Sequence, residues 1–315
     1  MSKSPSHATG VALVLTSGCC WGLHGVLIKL GLAEGYSFAQ IFMFEVAISS
    51  LFFGSFGKRF FQGGGPRGLA EWGWLVAIGI ATVGLGNFLF LAFSLGPVAI
   101  GATLMFLYLP MVYGYSWLSG KEPLRGTKIF GICLILLGAV FATGLLNSLN
   151  EPGVLKAAGA AVLAACCYGA VFVLTPKVAV YSNLYLRSFM VCSIGLAGTV
   201  LLVLAYPSLW YTDGSLGARF WVLLFLLGGI GQILPVFTLM KGLPVVGGSL
   251  GGVLASIELP VAVFSAALVL NESLGWGRVF GVVLVFGGIA VFNFADRFEA
   301  YFRSFKEGAS APLEP

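Results

Sequence analysis

Apolar residues run along this chain in long stretches that charged residues punctuate. No Asp, Glu, Lys or Arg stands between Lys3 and Lys29, Lys128 and Glu151, Lys156 and Lys177, Arg187 and Asp213, Arg219 and Lys241, or Arg278 and Asp296. Runs of about 20 apolar residues are the length that carries an α-helix across a bilayer. The uncharged stretch from Trp72 to Gly120 is too long for one crossing, and Gly96-Pro97 divides it, because proline cannot continue a helix through its own missing N–H. Single carboxylates, Glu45 and Glu258, interrupt two further runs. The pattern predicts ten helices at 8–32, 37–57, 71–95, 97–119, 124–144, 154–175, 181–206, 217–241, 244–270 and 275–295. The first is expected to be a retained span and not a cleaved signal peptide, since its apolar stretch is long and contains Trp21 and His24.

Composition excludes the alternatives to a membrane fold. Of 315 residues 9% are charged and 58% hydrophobic, whereas ordinary soluble domains carry roughly 25% charge. A soluble chain of this length needs more polar surface than that. The six cysteines all lie in apolar runs without metal-ligand spacing, so they read as small buried hydrophobes. The net charge of +5 reports loops facing the cytoplasm and no nucleic-acid partner. With the N-terminus inside, the inner face holds Lys3, Lys58, Arg59, Arg67, Lys121, Arg125, Lys128, Lys177, Lys241, Arg297, Arg303 and Lys306. The outer side holds Lys29, Lys156, Arg219 and Arg278. Both termini are therefore expected in the cytoplasm, and the location is expected to be a bacterial inner (plasma) membrane. Arg187, left within a span, is expected to reach the nearby inner interface with its long side chain.

The chain is also written twice. Cys19-Cys20-Trp21-Gly22 returns as Cys166-Cys167-Tyr168-Gly169, and at the same displacement Trp74 meets Trp221, Gly84 meets Gly231 and Pro97 meets Pro244. After a three-residue insertion, Pro110 meets Pro260, and Gly131 and Gly138 meet Gly281 and Gly288. Five helices per half is an odd number, so the second half enters the membrane inverted. The expected fold is an all-α polytopic membrane protein of ten transmembrane helices in two inverted five-helix repeats. The expected domains are 8–144 and 154–295, followed by a cytoplasmic tail, 296–315.

These residues resemble the EamA-type family of the drug/metabolite transporter (DMT) superfamily. The resemblance rests on Trp21-Gly22 followed by Lys29, the turn at Pro97, the mid-helix Pro110 and Pro260, and Glu122 and Glu272 closing the fourth and ninth helices. It covers residues 8–295. It implies a central cavity lined mainly by helices one, three, four, six, eight and nine, and a role in moving amino acids, amines, nucleotide precursors or other small metabolites. One departure stands out: many relatives carry Glu directly before the ninth-helix proline, whereas here the order is Glu258-Leu259-Pro260, which turns the carboxylate about 100° around the helix.

Ionisable groups at membrane depth are costly and therefore functional candidates. Glu258 stands deep in a helix that opens with Gly247-Gly248 and Gly251-Gly252; the repeat places Tyr108 at the equivalent position. Glu45 and His24 lie at matched depth near the outer side, where a Glu–His pair titrates near neutrality and can carry a proton. Trp21 and His24 share a helix face at i, i+3, and Tyr168 and Phe172 at i, i+4. Asn87, Gln232, Ser249 and Ser256 add hydrogen-bonding groups. The candidate substrate cavity is thus Trp21, His24, Asn87, Tyr108, Tyr168, Phe172, Gln232, Ser256 and Glu258. Glu258, Glu45 and His24 are the candidates for proton coupling, and Pro110, Pro260, Gly251 and Gly252 for hinges or close packing. Aromatic walls with one carboxylate suit a cationic or zwitterionic solute.

The leading functional reading is a secondary active transporter of a small organic metabolite, an amino acid, amine or related solute, with the bilayer around it and a proton as candidate coupling ion. No Walker-type glycine loop points to ATP, and no cofactor or metal is expected. The alternatives are an intramembrane enzyme acting on lipid, for which the sequence supplies no nucleophile–base cluster, and a channel or scaffold, against which the inverted repeat argues.

Overall fold

Between lipid tails a backbone has no water to bond, so apolar runs must fold into helices that satisfy their own amides. The computed structural model describes residues 6–62, 64–210, 217–271 and 273–309, with 296–309 described as helix backbone alone. The elements are α1 (His7–Ala33), α2 (Phe38–Gly54), α3 (Leu69–Leu95), α4 (Val98–Leu118), α5 (Gly126–Thr143), α6 (Val154–Val178), α7 (Leu184–Ala205), α8 (Ala218–Val246), α9 (Gly248–Leu270) and α10 (Trp276–Ala309). Among the described residues nine helices are long and apolar enough to cross a membrane, and α2, at 17 residues, is a shorter apolar one. Lys3, Glu272 and the last six residues of the expected tail lie outside the described residues, as do the side chains of Arg297, Arg303 and Lys306.

Local chemistry fixes several boundaries. The Ser6 hydroxyl accepts from the Thr9 N–H at 3.2 Å and starts α1, and Ser37 with Gln40 forms a capping box that starts α2. The Asn183 side chain accepts from the Leu186 N–H and starts α7, three residues later than the apolar pattern predicts. α4 and α9 each break in the middle, at Phe106–Leu107 and Ser256–Ile257. The cause is the same in both repeats: Pro110 and Pro260 donate no N–H, and each ring crowds the carbonyl four residues back, at Phe106 and Ser256. α10 continues past the predicted end at 295, since 296–309 has no proline and its one glycine, Gly308, is next to last.

Two expectations about the second repeat are corrected. The sequence places a turn at Pro244, as at Pro97, but α8 runs through Pro244 to Val246, and the chain turns at Gly247, where φ is +80°. Arg187, expected to reach the interface, instead turns inward and is 5% exposed. Its guanidinium donates to the Ser182 carbonyl and, at 2.9 Å, to the carbonyl of Met240. Met240 lies four residues before Pro244, so proline deprives that carbonyl of its helical donor, and Arg187 supplies the replacement.

The halves pack with a pseudo-twofold relation. α1 lies against α8, and its image α6 against α3, while α2 packs on α7 and α5 on α10 across the axis. The last pair displays the inversion. A Cβ at Gly131 would lie 3.0 Å from the Gly288 carbonyl oxygen, and one at Gly138 would lie 2.7 Å from that of Gly281. The repeat pairs Gly131 with Gly281 and Gly138 with Gly288, so each contact is the image of the other, and the helices run antiparallel. Backbones this close require glycine, the usual device where lipid offers no hydrophobic drive for helices to associate.

Candidate functional site

The site begins where α1 crosses the break in α9. Gly18 and Gly22, one turn apart, let α1 come close: an added Cβ would meet the Ala255 carbonyl oxygen at 2.8 Å and the Glu258 carbonyl oxygen at 2.6 Å respectively. That crossing aims the neighbouring Trp21 and His24 into the space between α1, α3 and α9. The break in α9 makes Glu258 the first residue of the helix segment Glu258–Leu270, where the unpaired amides and macrodipole of an N-terminus favour a carboxylate. The Tyr168 hydroxyl, from α6, donates to Glu258 Oε2 at 3.4 Å, while Glu258 Oε1 is buried without a hydrogen-bond partner. The Trp21 and Tyr168 rings meet edge to face at 6.0 Å.

Around these groups lies a cavity of about 290 Å³, at the small end of ordinary ligand sites, roughly 300–1,000 Å³. Of the residues marked in the sequence, Trp21, His24, Tyr168, Gln232 and Glu258 border it. The other four do not. Tyr108 is fully buried behind Tyr168 and donates its hydroxyl to the Gly252 carbonyl at 2.7 Å. Phe172 is stacked on Tyr108 at 5.2 Å. The Ser256 hydroxyl is spent on its own helix, donating to Val253, and Asn87, half-buried on α3, is not in the wall. Helix two, absent from the lining that the resemblance implies, supplies Phe38 and Phe42; Phe93, Met105 and Phe106 complete an apolar wall. No polarity marks these residues in the sequence.

The repeat equivalence of Tyr108 and Glu258 is resolved into an asymmetry. Tyr108 is long enough to reach across to the α9 backbone at Gly252. Glu258, shorter, leaves the corresponding residue of α4, Ala102, on the cavity wall. One side of the axis is thus sealed and the other open.

His24 and Glu45 are brought together: the imidazole Nε2 lies 2.8 Å from Glu45 Oε1, with Glu45 1% and His24 16% exposed. Room for the ring comes from α8, which widens to a π-helix over Leu227–Ile233, and a Cβ at Gly231 there would meet His24 Cδ2 at 2.4 Å. Such insertions re-aim side chains, and this one carries Gln232 to the cavity. Of the packing glycines, Gly251 backs onto Leu243 and Gly252 onto Tyr108 and Leu109.

The cavity reaches from Glu258 toward the bundle end formed by Phe38, Phe93 and Ala102, away from the start of α1. A second pocket of about 250 Å³ lies at the opposite end, bordered by Ser116, Lys121, Glu122, Phe172, Pro176 and Gly248 among others. Between the two stand Tyr168, Tyr108 and Phe172, their ring centres 4.4 to 5.2 Å apart. Tyr168 faces the first pocket and Phe172 the second.

The model of the EamA-like transporter family, part of the DMT superfamily, matches residues 8–144 and 155–294, nearly the whole chain. One solved crystal structure, described only as that of a protein, is similar over 92% of this chain and 98% of its own, with a TM-score of 0.76 and 17% identity, a likeness of fold. No curated protein matches the sequence.

Proposed function

The chain belongs to the EamA-like transporter family, and we propose that it is a secondary active transporter that moves a small organic metabolite by alternating access. The observation that carries this reading is the pair of pockets at opposite ends, divided by the Tyr168–Tyr108–Phe172 plug. A channel needs a continuous path and a scaffold needs no central cavity. Two pockets separated by three packed rings are what a carrier with one closed gate requires. The repeats supply the second state: exchanging the packing of the two halves opens one end as it closes the other. The domains on this reading are the repeats 8–144 and 154–295 with a cytoplasmic tail, 296–315. Trp21, Tyr168, Gln232 and Glu258 hold the solute. Glu258, with the His24–Glu45 pair beside it, is the proposed proton-coupling group, and the breaks before Pro110 and Pro260 are the hinges.

Accessibility tests the mechanism. Cysteines placed one at a time at Leu89, in the open cavity, and Val173, in the far pocket, should react reciprocally: conditions that raise one rate lower the other. Full reaction at both under every condition would mean a pore. Orientation has its own test. In intact cells a cysteine at Asn150 should be labelled by an impermeant thiol reagent and one at Gly64 should not. The opposite result would place the termini outside.

A further inference from the structure

The cavity is chemically one-sided, and its walls discriminate among the solutes that the family reading leaves open. Among the described residues Glu258 is the one carboxylate that borders it, and its Oε1 is unpartnered although the residue is only 9% exposed. No lysine or arginine borders the cavity among the described residues. His24, the other ionisable group on the wall, is held through Nε2 by Glu45, whose carboxylate balances any charge on the ring. Besides the Trp21 indole N–H and the Tyr168 hydroxyl, which is turned to Glu258, the remaining polar side chains are Thr82 and Gln232. The rest of the lining is apolar or glycine, with Trp21, Phe38, Phe42, Phe93 and Phe106 as its large aromatic groups.

We propose that the transported solute is an amphipathic organic cation, a primary or secondary ammonium on an aromatic or branched apolar body, and not an α-amino acid or an organic anion. This rests on the transporter reading and narrows it. A turn of the Glu258 carboxyl toward the cavity lets an ammonium supply the donor that the enclosed Oε1 lacks, beside the Trp21 and Tyr168 rings that border the same space, where aromatic groups attract a cation. The apolar body then fills the wall toward Phe38 and Phe93. A zwitterion brings a carboxylate into the same space, where no cationic side chain receives it, and an unpaired buried charge is strongly penalised. An anion meets the same penalty and is repelled by Glu258.

The test is a matched ligand series on the purified full chain: 2-phenylethylamine, phenylalanine, 3-phenylpropionate and 2-phenylethanol, which share a ring and differ in charge. Binding is read by tryptophan fluorescence and calorimetry. The amine should bind at least about tenfold more tightly than each of the other three, the scale of one charge-assisted hydrogen bond, and Glu258→Gln should erase the preference over the alcohol. Phenylalanine or phenylpropionate binding as well as the amine, an alcohol of equal affinity, or no binding across the series would overturn the proposal. If Glu258→Gln does not fold, the wild-type ranking alone decides. Counterflow of the amine in proteoliposomes separates the two layers. A preference for the amine without counterflow sinks the transporter reading and leaves the recognition chemistry intact, whereas counterflow of phenylalanine alone does the reverse.

Discussion

Replacing Glu258 with glutamine is expected to abolish net solute accumulation while the protein still inserts and folds. Glutamine keeps the size of the side chain and can still accept from the Tyr168 hydroxyl, which lies 3.4 Å from Oε2. What it removes is charge and titration. A carboxylate at the first position of a broken helix, with one oxygen unpartnered, contributes in one of two ways: it pairs with a cationic solute, or it exchanges a proton for it. Both schemes predict the loss of accumulation and differ in what survives. If the group only binds charge, solute affinity should fall by about 1–3 kcal/mol, the scale of a lost charge-assisted hydrogen bond, and exchange should weaken in step. If it also couples protons, solute–solute exchange should persist at saturating solute while accumulation driven by a pH gradient disappears. Parallel exchange and gradient-driven uptake assays on the same proteoliposomes separate them. Wild-type accumulation in the variant would make Glu258 a structural residue.

Gly22→Leu is expected to be as damaging, by a different route. A Cβ at this position would lie 2.6 Å from the Glu258 carbonyl oxygen and 2.6 Å from Val261 Cβ. A backbone oxygen cannot rotate aside, so α1 must move off α9, carrying Trp21 from Tyr168 and shifting the segment that presents Glu258. Overpacking costs about 1–3 kcal/mol for extra methylenes in a core, and leucine also forces apart backbones that meet only because α1 carries glycine here. The variant should lose its monodisperse folded fraction in detergent, and Gly22→Ala should retain the fold with a lower Tm. Gly114→Ala is the control: a Cβ there has nothing within 4 Å, and its Tm should match wild type. Normal uptake by Gly22→Leu would show that the α1–α9 crossing is loose.

How much of this was legible in the sequence depends on direction. Position along a helix is readable: charged punctuation and glycine–proline turns place each span, and residue count from its end gives depth. That is why His24 and Glu45, matched in depth on paper, meet at 2.8 Å. Rotation about the helix and choice of neighbour are not readable in the same way. Tyr108 and Glu258 are repeat equivalents, yet Glu258 pairs with Tyr168 while Tyr108 reaches Gly252, because a difference of side-chain length decides what each can touch. The resemblance leaves helix two out of the cavity wall, and nothing in the sequence corrects that, because a phenylalanine at 38 or 42 suits lipid as well as a solute.

The sequence by itself determined the membrane class, the ten helices, the duplication with its inversion, and the presence of a deep carboxylate. Each follows from hydrophobicity, chain length and internal self-similarity, which are properties of the chain taken in order. Only the tertiary structure decided that Arg187 turns inward to the carbonyl that Pro244 strips of its donor, and that α8 widens beside His24. It also decided that the cavity is walled by aromatics from α1 to α4 and closed toward the second pocket by three packed rings. These depend on which helix faces meet, and in a chain that is apolar nearly all around its helices, hydrophobicity does not distinguish the face toward a neighbour from the face toward lipid. Steric fit, backbone hydrogen bonding and the few polar groups make that choice, and they act only once the helices are packed.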